Sequence, residues 1–92
     1  MNLGEITLSN IQKRFQRLLN NLNGVKWDEL KTIAEHYGLT VKPPSKGSHY
    51  KVYYKNDTEN IMVTIPVHNN RVKPVYVKKI ISLIEKNVSE ED

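Results

Sequence analysis

The sequence predicts an α+β domain, with three antiparallel strands packed on helices and an additional helix ahead of them. Three observations lead there. Apolar residues recur at helical spacing in three segments, Ile11–Leu22, Trp27–Tyr37 and Val77–Val88. Between the second and third of these the period switches to two, in "HYKVYYK" and "NIMVTIP". Gly38, Pro43-Pro44 and Pro74 punctuate the switches.

Each element has a local reason. The first helix opens at Ser9, which with Gln12 three positions later makes a capping-box pattern. Ile11, Phe15, Leu18, Leu19 and Leu22 form its stripe, and Asn23-Gly24 stops it. A second helix covers about Lys26–Tyr37, with Trp27, Leu30, Ile33, Ala34 and Tyr37 on one side and Gly38 as its left-handed cap. Leu39–Lys42 is a short strand, ended by two prolines that cannot donate to a ladder. His49–Lys55 is the second strand, "NDTE" a hairpin connection, and Asn60–Pro66 the third strand. The last helix runs over about Pro74–Asn87, with Pro74 in the first turn where no N–H is needed. Val77, Ile80, Ile81, Ile84 and Val88 form its apolar side. The chain therefore divides into a helical extension (1–24), a folded domain (25–88) and an acidic tail (89–92).

Composition narrows the function. A chain of 92 residues holds one domain. The absence of cysteine removes disulfides and thiolate metal sites, and fits a reducing cytoplasmic setting. "MNLGEITLSNIQ" does not read as a signal peptide, and no apolar run approaches a membrane span. The net charge of +4 understates an asymmetry. From His36 to Ile84 there are eight Lys or Arg residues against two acids, Asp57 and Glu59. A polyanion is the natural partner for such a segment, although a lysine-rich surface can also be merely soluble.

Strand alternation places that charge. Tyr50, Val52 and Tyr54 fall on one side with Val63 and Ile65, facing the helices. His49, Lys51, Tyr53, Met62 and Thr64 fall on the other, which leaves one open, cationic sheet face. The stretch "PPSKGSHYKVYY" leads into that face. Imidazole is the side chain suited to proton transfer near neutrality. Gly47 permits a backbone geometry other residues resist, Ser48 offers a hydroxyl, and Lys46 adds charge. A strand histidine can equally be a structural group bonded to a neighbour.

The other candidates are weaker. Tyr53 is placed to stack on bases, whereas Tyr50, Tyr54 and Trp27 read as core. His68 reads as a strand-end or water-facing residue, and His36 as exposed. Arg71, Lys73, Lys78 and Lys79 frame the basic surface. The histidines have no zinc-ligand spacing, and Asp57 and Glu59 sit in a hairpin connection. Neither a metal nor a small-molecule cofactor is expected.

The segments "KGSHYKVYY" and "NIMVTIPVHNNRVKPVYVKKIISLIE" together resemble the HicA toxin family of bacterial toxin–antitoxin systems. The resemblance lies in a helix, a short strand, Gly-Ser-His opening the next strand, a strand ending in Pro-x-His, and a closing helix. It covers about residues 25–88 and leaves the first helix without a counterpart. It implies a double-stranded-RNA-binding-like fold, and an mRNA-cleaving toxin held in check by a HicB-like antitoxin. The family's catalytic histidine carries over to His49. The assisting lysine is Lys46 or Lys42, because Lys46 adjoins Gly47 more closely than the family's usual spacing.

The chemistry of the residues is compatible with this. A metal-independent ribonuclease uses the substrate's 2′-hydroxyl as nucleophile, with a proton-transfer group and cations on the phosphate. His49 would be the base or acid. Lys42, Lys46 and Lys51, with Gly47, Ser48 and Tyr53, would contact RNA. The competing readings are a non-catalytic RNA-binding module using the same face, and an interaction protein that assembles through its first helix.

Overall fold

The computed structural model describes residues 9–54 and 62–91, the last five of these as backbone only. Its elements run α1 (Asn10–Asn20), β1 (Val25–Lys26), α2 (Trp27–His36), β2 (Leu39–Lys42), β3 (His49–Tyr54), β4 (Met62–Pro66), β5 (Arg71–Val72) and α3 (Pro74–Glu91). The expected α+β arrangement of helices and a three-stranded antiparallel sheet is present, in strand order β2-β3-β4. The hairpin connection "NDTE" lies outside the described residues.

The capping box at Ser9 forms in full. Its Oγ accepts the Gln12 N–H at 3.1 Å, and its own N–H donates to Gln12 Oε1 at 2.8 Å. Two donors that a helix start leaves unpartnered are thereby satisfied. The helix ends sooner than expected, at Asn20 with Asn21 as its cap. Its stripe is narrower too. Leu18 is buried, Phe15 and Leu22 pack against the core, but Leu19 is 38% exposed. Phe15 meets Tyr37 with ring centroids 5.2 Å apart, so α1 is fastened to the far end of α2.

Lys26 does not open α2. It pairs with Arg71, and Val25 with Val72, as a second two-stranded antiparallel sheet. The chain enters β5 through a turn at Asn69 and Asn70, both at positive φ (51° and 60°). Asparagine tolerates this left-handed region, and two such residues in succession suit a tight hairpin. The flanking pair closes it: the His68 N–H donates to the Arg71 carbonyl at 3.2 Å, and the Arg71 N–H to the His68 carbonyl at 2.9 Å. Asn70 also caps α2 from a distance. Its carbonyl accepts the Trp27 N–H at 2.8 Å, and its Oδ1 accepts the Asp28 N–H at 3.0 Å. Lys26, the residue at the N-cap, makes no such side-chain bond. Gly38, at φ +92°, ends α2 as expected and starts β2.

The core lies between the sheet and the helices. Leu30, Ile33, Ala34, Val52, Ile65, Val77 and Ile80 are fully buried, and Ile81, Leu83 and Ile84 close it from α3. Tyr50 and Tyr54 belong to this side, as alternation requires. Tyr50 packs on Trp27 at 4.7 Å between centroids, and the Tyr54 hydroxyl donates to the Leu83 carbonyl. α3 continues through Glu91, beyond the Asn87 end expected from the sequence and through most of the segment read as a tail.

Candidate functional site

The open face is assembled by register. Lys42 of β2 pairs with Lys51 of β3, and Lys51 with Thr64 of β4, which makes one row across all three strands. The next row is Thr40, Tyr53 and Met62. At the other end His49 pairs with Pro66. Directly opposed residues in an antiparallel sheet project to the same side, so these rows share one surface. His49, Lys42, Lys51, Thr64 and Met62 are exposed, and Tyr53 is half-buried.

The Gly-Ser-His turn is held in place at the edge of this surface. The Ser48 carbonyl accepts the Val67 N–H at 3.0 Å, carrying the β3–β4 ladder one step past His49. Gly47 stands at φ +81°, a conformation L side chains resist, and a Cβ there would meet nothing within 4 Å. Glycine is therefore required by the turn and not by crowding, and the space before it is open. Ser48 is half-buried, and Lys46 is exposed in the preceding loop.

Two features distinguish the face from an ordinary solvated sheet. Among the described residues, the His49 side chain has no hydrogen bond, ion pair or ring contact, while its backbone pairs with Pro66 in the ladder. Lys42 and Lys51 stand opposite each other, and among the described residues neither is paired with a carboxylate. Like charges directly across a ladder are unfavourable. A surface that keeps them lowers its energy when an anion arrives. The other two histidines differ. His36 sits edge-on to Tyr37 at 5.0 Å, and His68 is in the hairpin beyond β4. Among the described residues no group of three His, Cys, Asp or Glu is placed to hold a metal, and no helix is long and apolar enough to cross a membrane.

The family described as the HicA toxin of bacterial toxin–antitoxin systems matches residues 27–85. The chain belongs to the HicA toxin family. The match spans α2 through most of α3, contains the whole three-stranded sheet and His49, and gives the α+β architecture its family setting as a double-stranded-RNA-binding-like fold. α1 lies ahead of it. No curated protein and no solved structure matches the chain.

A second feature of this HicA chain was not foreseen. A cavity of about 380 Å³ opens between the end of β4, the β5 ribbon and the start of α3. Pro66, His68, Arg71, Lys73, Pro74 and Tyr76 are among its walls. In the sequence Arg71 and Lys73 read as framing charge and His68 as a strand-end or water-facing residue. The basic segment "RVK" next to Pro-x-His was the available signal, but only the fold brings Gly24 and Tyr76 to it.

Proposed function

We propose that this HicA toxin is a metal-independent endoribonuclease that cleaves mRNA on the open sheet face, with His49 as its proton-transfer residue. The RNA backbone lies along the Lys42–Lys51 row, and Lys46 approaches from the Gly-Ser-His loop. The 2′-hydroxyl adjoining the target phosphate forms a new bond to phosphorus as the bond to the 5′-oxygen breaks. The proton lost from the 2′-oxygen is balanced by one gained on the departing 5′-oxygen, with His49 serving as base or acid. Lysine ammonium groups offset the charge that grows on the phosphate oxygens. Ser48 and the open backbone at Gly47 offer close contacts to the sugar or phosphate, and Tyr53 a stacking surface.

The observation that carries this reading is an imidazole with no structural partner among the described residues, on an exposed face, two residues from an opposed lysine pair. The test is cleavage of a defined RNA by wild-type and His49→Ala protein in EDTA, each shown folded by circular dichroism. Loss of a general acid or base costs on the order of 10²–10⁴ in rate. Equal cleavage by both proteins would leave the face as a non-catalytic RNA-binding surface.

A toxin of this kind needs a partner, and we propose a HicB-like antitoxin that covers the His49 face. An acidic segment or added strand would meet both the charge and the exposed sheet.

A further inference from the structure

The cavity beside the hairpin is separate from the lysine row yet adjoins the proposed site. Pro66 is one of its walls and is also the residue that pairs with His49 across the β3–β4 ladder. Its lining is of two kinds. Pro66, Pro74 and Tyr76 present flat, apolar surfaces, while Arg71 and Lys73 present cationic groups and His68 a polar ring. Among the described residues, no acid lines it.

The arginine is preorganised. Arg71 Nη1 donates to the Gly24 carbonyl at 3.2 Å, which anchors the guanidinium to the turn before β1. The two bonds between His68 and Arg71 hold both backbones in the hairpin. Tyr76 is half-buried against the core, with the Lys79 ammonium 5.4 Å from its ring centroid. Groups already fixed lose little freedom when a ligand binds.

Volume and chemistry narrow the occupant. A cavity of about 380 Å³ lies at the lower end of the range for small-ligand sites, roughly 300–1,000 Å³. It suits one compact unit carrying both an anion and a flat face. An acidic side chain would satisfy the cations but leave the proline and tyrosine walls unused. A nucleotide satisfies both, since single-stranded RNA is read by stacking splayed bases on aromatic and planar surfaces.

We infer that this cavity is a nucleotide subsite, holding one unsheltered base of the RNA against Tyr76 and the prolines and its phosphate on Arg71 and Lys73, next to the phosphate His49 acts on. The inference rests on the ribonuclease reading for its substrate and adds where base preference is set. The lysine row grips backbone and is indifferent to sequence, whereas the cavity distinguishes bases by shape and stacking.

The experiment is amide-resolved NMR titration of the full chain with AMP, GMP, CMP and UMP, alongside the bare nucleosides and inorganic phosphate. At least one nucleotide should give saturable shifts at Arg71, Lys73 and Tyr76, larger than phosphate gives. Tyr76→Ala should weaken that binding by roughly 5–150-fold, the range for loss of one stacked base. Lys73→Glu changes an exposed residue and should weaken it as well in a protein that stays folded. In cleavage assays both variants should redistribute the cut sites, whereas His49→Ala should remove them all. Shifts that inorganic phosphate reproduces in full, or that fall only on the Lys42–Lys51 row, would overturn the subsite. If the wild type cleaves RNA but no nucleotide enters the cavity, the subsite fails and the ribonuclease reading stands. If a nucleotide enters the cavity of a protein that cleaves nothing, the subsite stands and the ribonuclease reading fails.

Discussion

The two faces of the three-stranded sheet come from alternate residues of the same strands, and they are built to opposite rules. On the inner face Val41, Val52 and Val63 form one row, with Tyr50 opposite Ile65 beside it. Val52 and Ile65 are completely buried there. On the outer face the neighbouring row is Lys42, Lys51 and Thr64, and Met62 stands 50% exposed beyond it. The inner face is optimised for removing apolar surface from water. The outer face carries an unfavourable lysine pair and a histidine with no partner among the described residues, neither of which the fold requires. One side answers for stability, and the other carries the site proposed for RNA. Substitutions one residue apart should therefore separate the two.

The largest stability effect is expected on the inner side. Ile65→Ala removes a fully buried side chain of β4, the strand that packs against α3, and should destabilise the protein by about 2–5 kcal/mol. Thr64→Ala, one position away and exposed, should change stability by no more than about 0.5 kcal/mol. Chemical denaturation of the two variants measures this directly. Comparable losses in both would mean that the faces are not divided as the register implies.

The next effect concerns affinity. Replacing Lys42 and Lys51 together by Ala should weaken binding to RNAs of unrelated sequence alike, because backbone contacts carry no sequence information. For single strands each lost phosphate contact lowers the salt dependence by about 0.7 in slope, so the pair should lower it by about 1.4. Binding of a labelled RNA between low and moderate salt gives the number. An unchanged slope would show that the row does not touch phosphate, and a sequence-selective loss would assign base reading to the wrong place.

Much of this division was legible in the sequence, and the parts that were not share a physical cause. Alternation in "HYKVYYK" and "NIMVTIP" was enough to separate Tyr50, Val52, Val63 and Ile65 from His49, Lys51 and Thr64. The capping box at Ser9 and the glycine after α2 were equally readable, because their signals are local. The β1–β5 ribbon was not. Two-residue strands have no period, and Val25 finds its partner at Val72, far along the chain. Asn69-Asn70 could have been read as a tight turn, which would have given His68 and Arg71 as neighbours. The cavity has only a partial sequence signature, the "RVK" segment beside Pro-x-His, since the fold alone brings the turn at Gly24 and Tyr76 of α3 to it. His49 was the most visible residue of the candidate site because glycine, serine and charge stand beside it.

The smallest effect is the sharpest test of the outer face. Lys42→Glu replaces a repulsive cross-strand pair with an attractive one, Lys51 being directly opposite. Such pairs change stability by roughly 0.2–1 kcal/mol, so the variant should be more stable than the wild type by an amount in that range. Both positions are exposed, so the gain should shrink as salt shortens the Debye length from about 30 Å at 0.01 M to about 3 Å at 1 M. The same substitution should weaken RNA binding more than Lys42→Ala does, since it adds repulsion to the lost contact. Urea denaturation at low and high salt, paired with RNA affinity, reads both effects. A variant that gained nothing at low salt would show that the two ammonium groups stand too far apart to repel. A variant that gained stability but kept its RNA affinity would detach the lysine pair from RNA altogether. The expected result, greater stability with weaker binding, would mean that the wild-type sheet holds its opposed lysines for an anion and not for the fold.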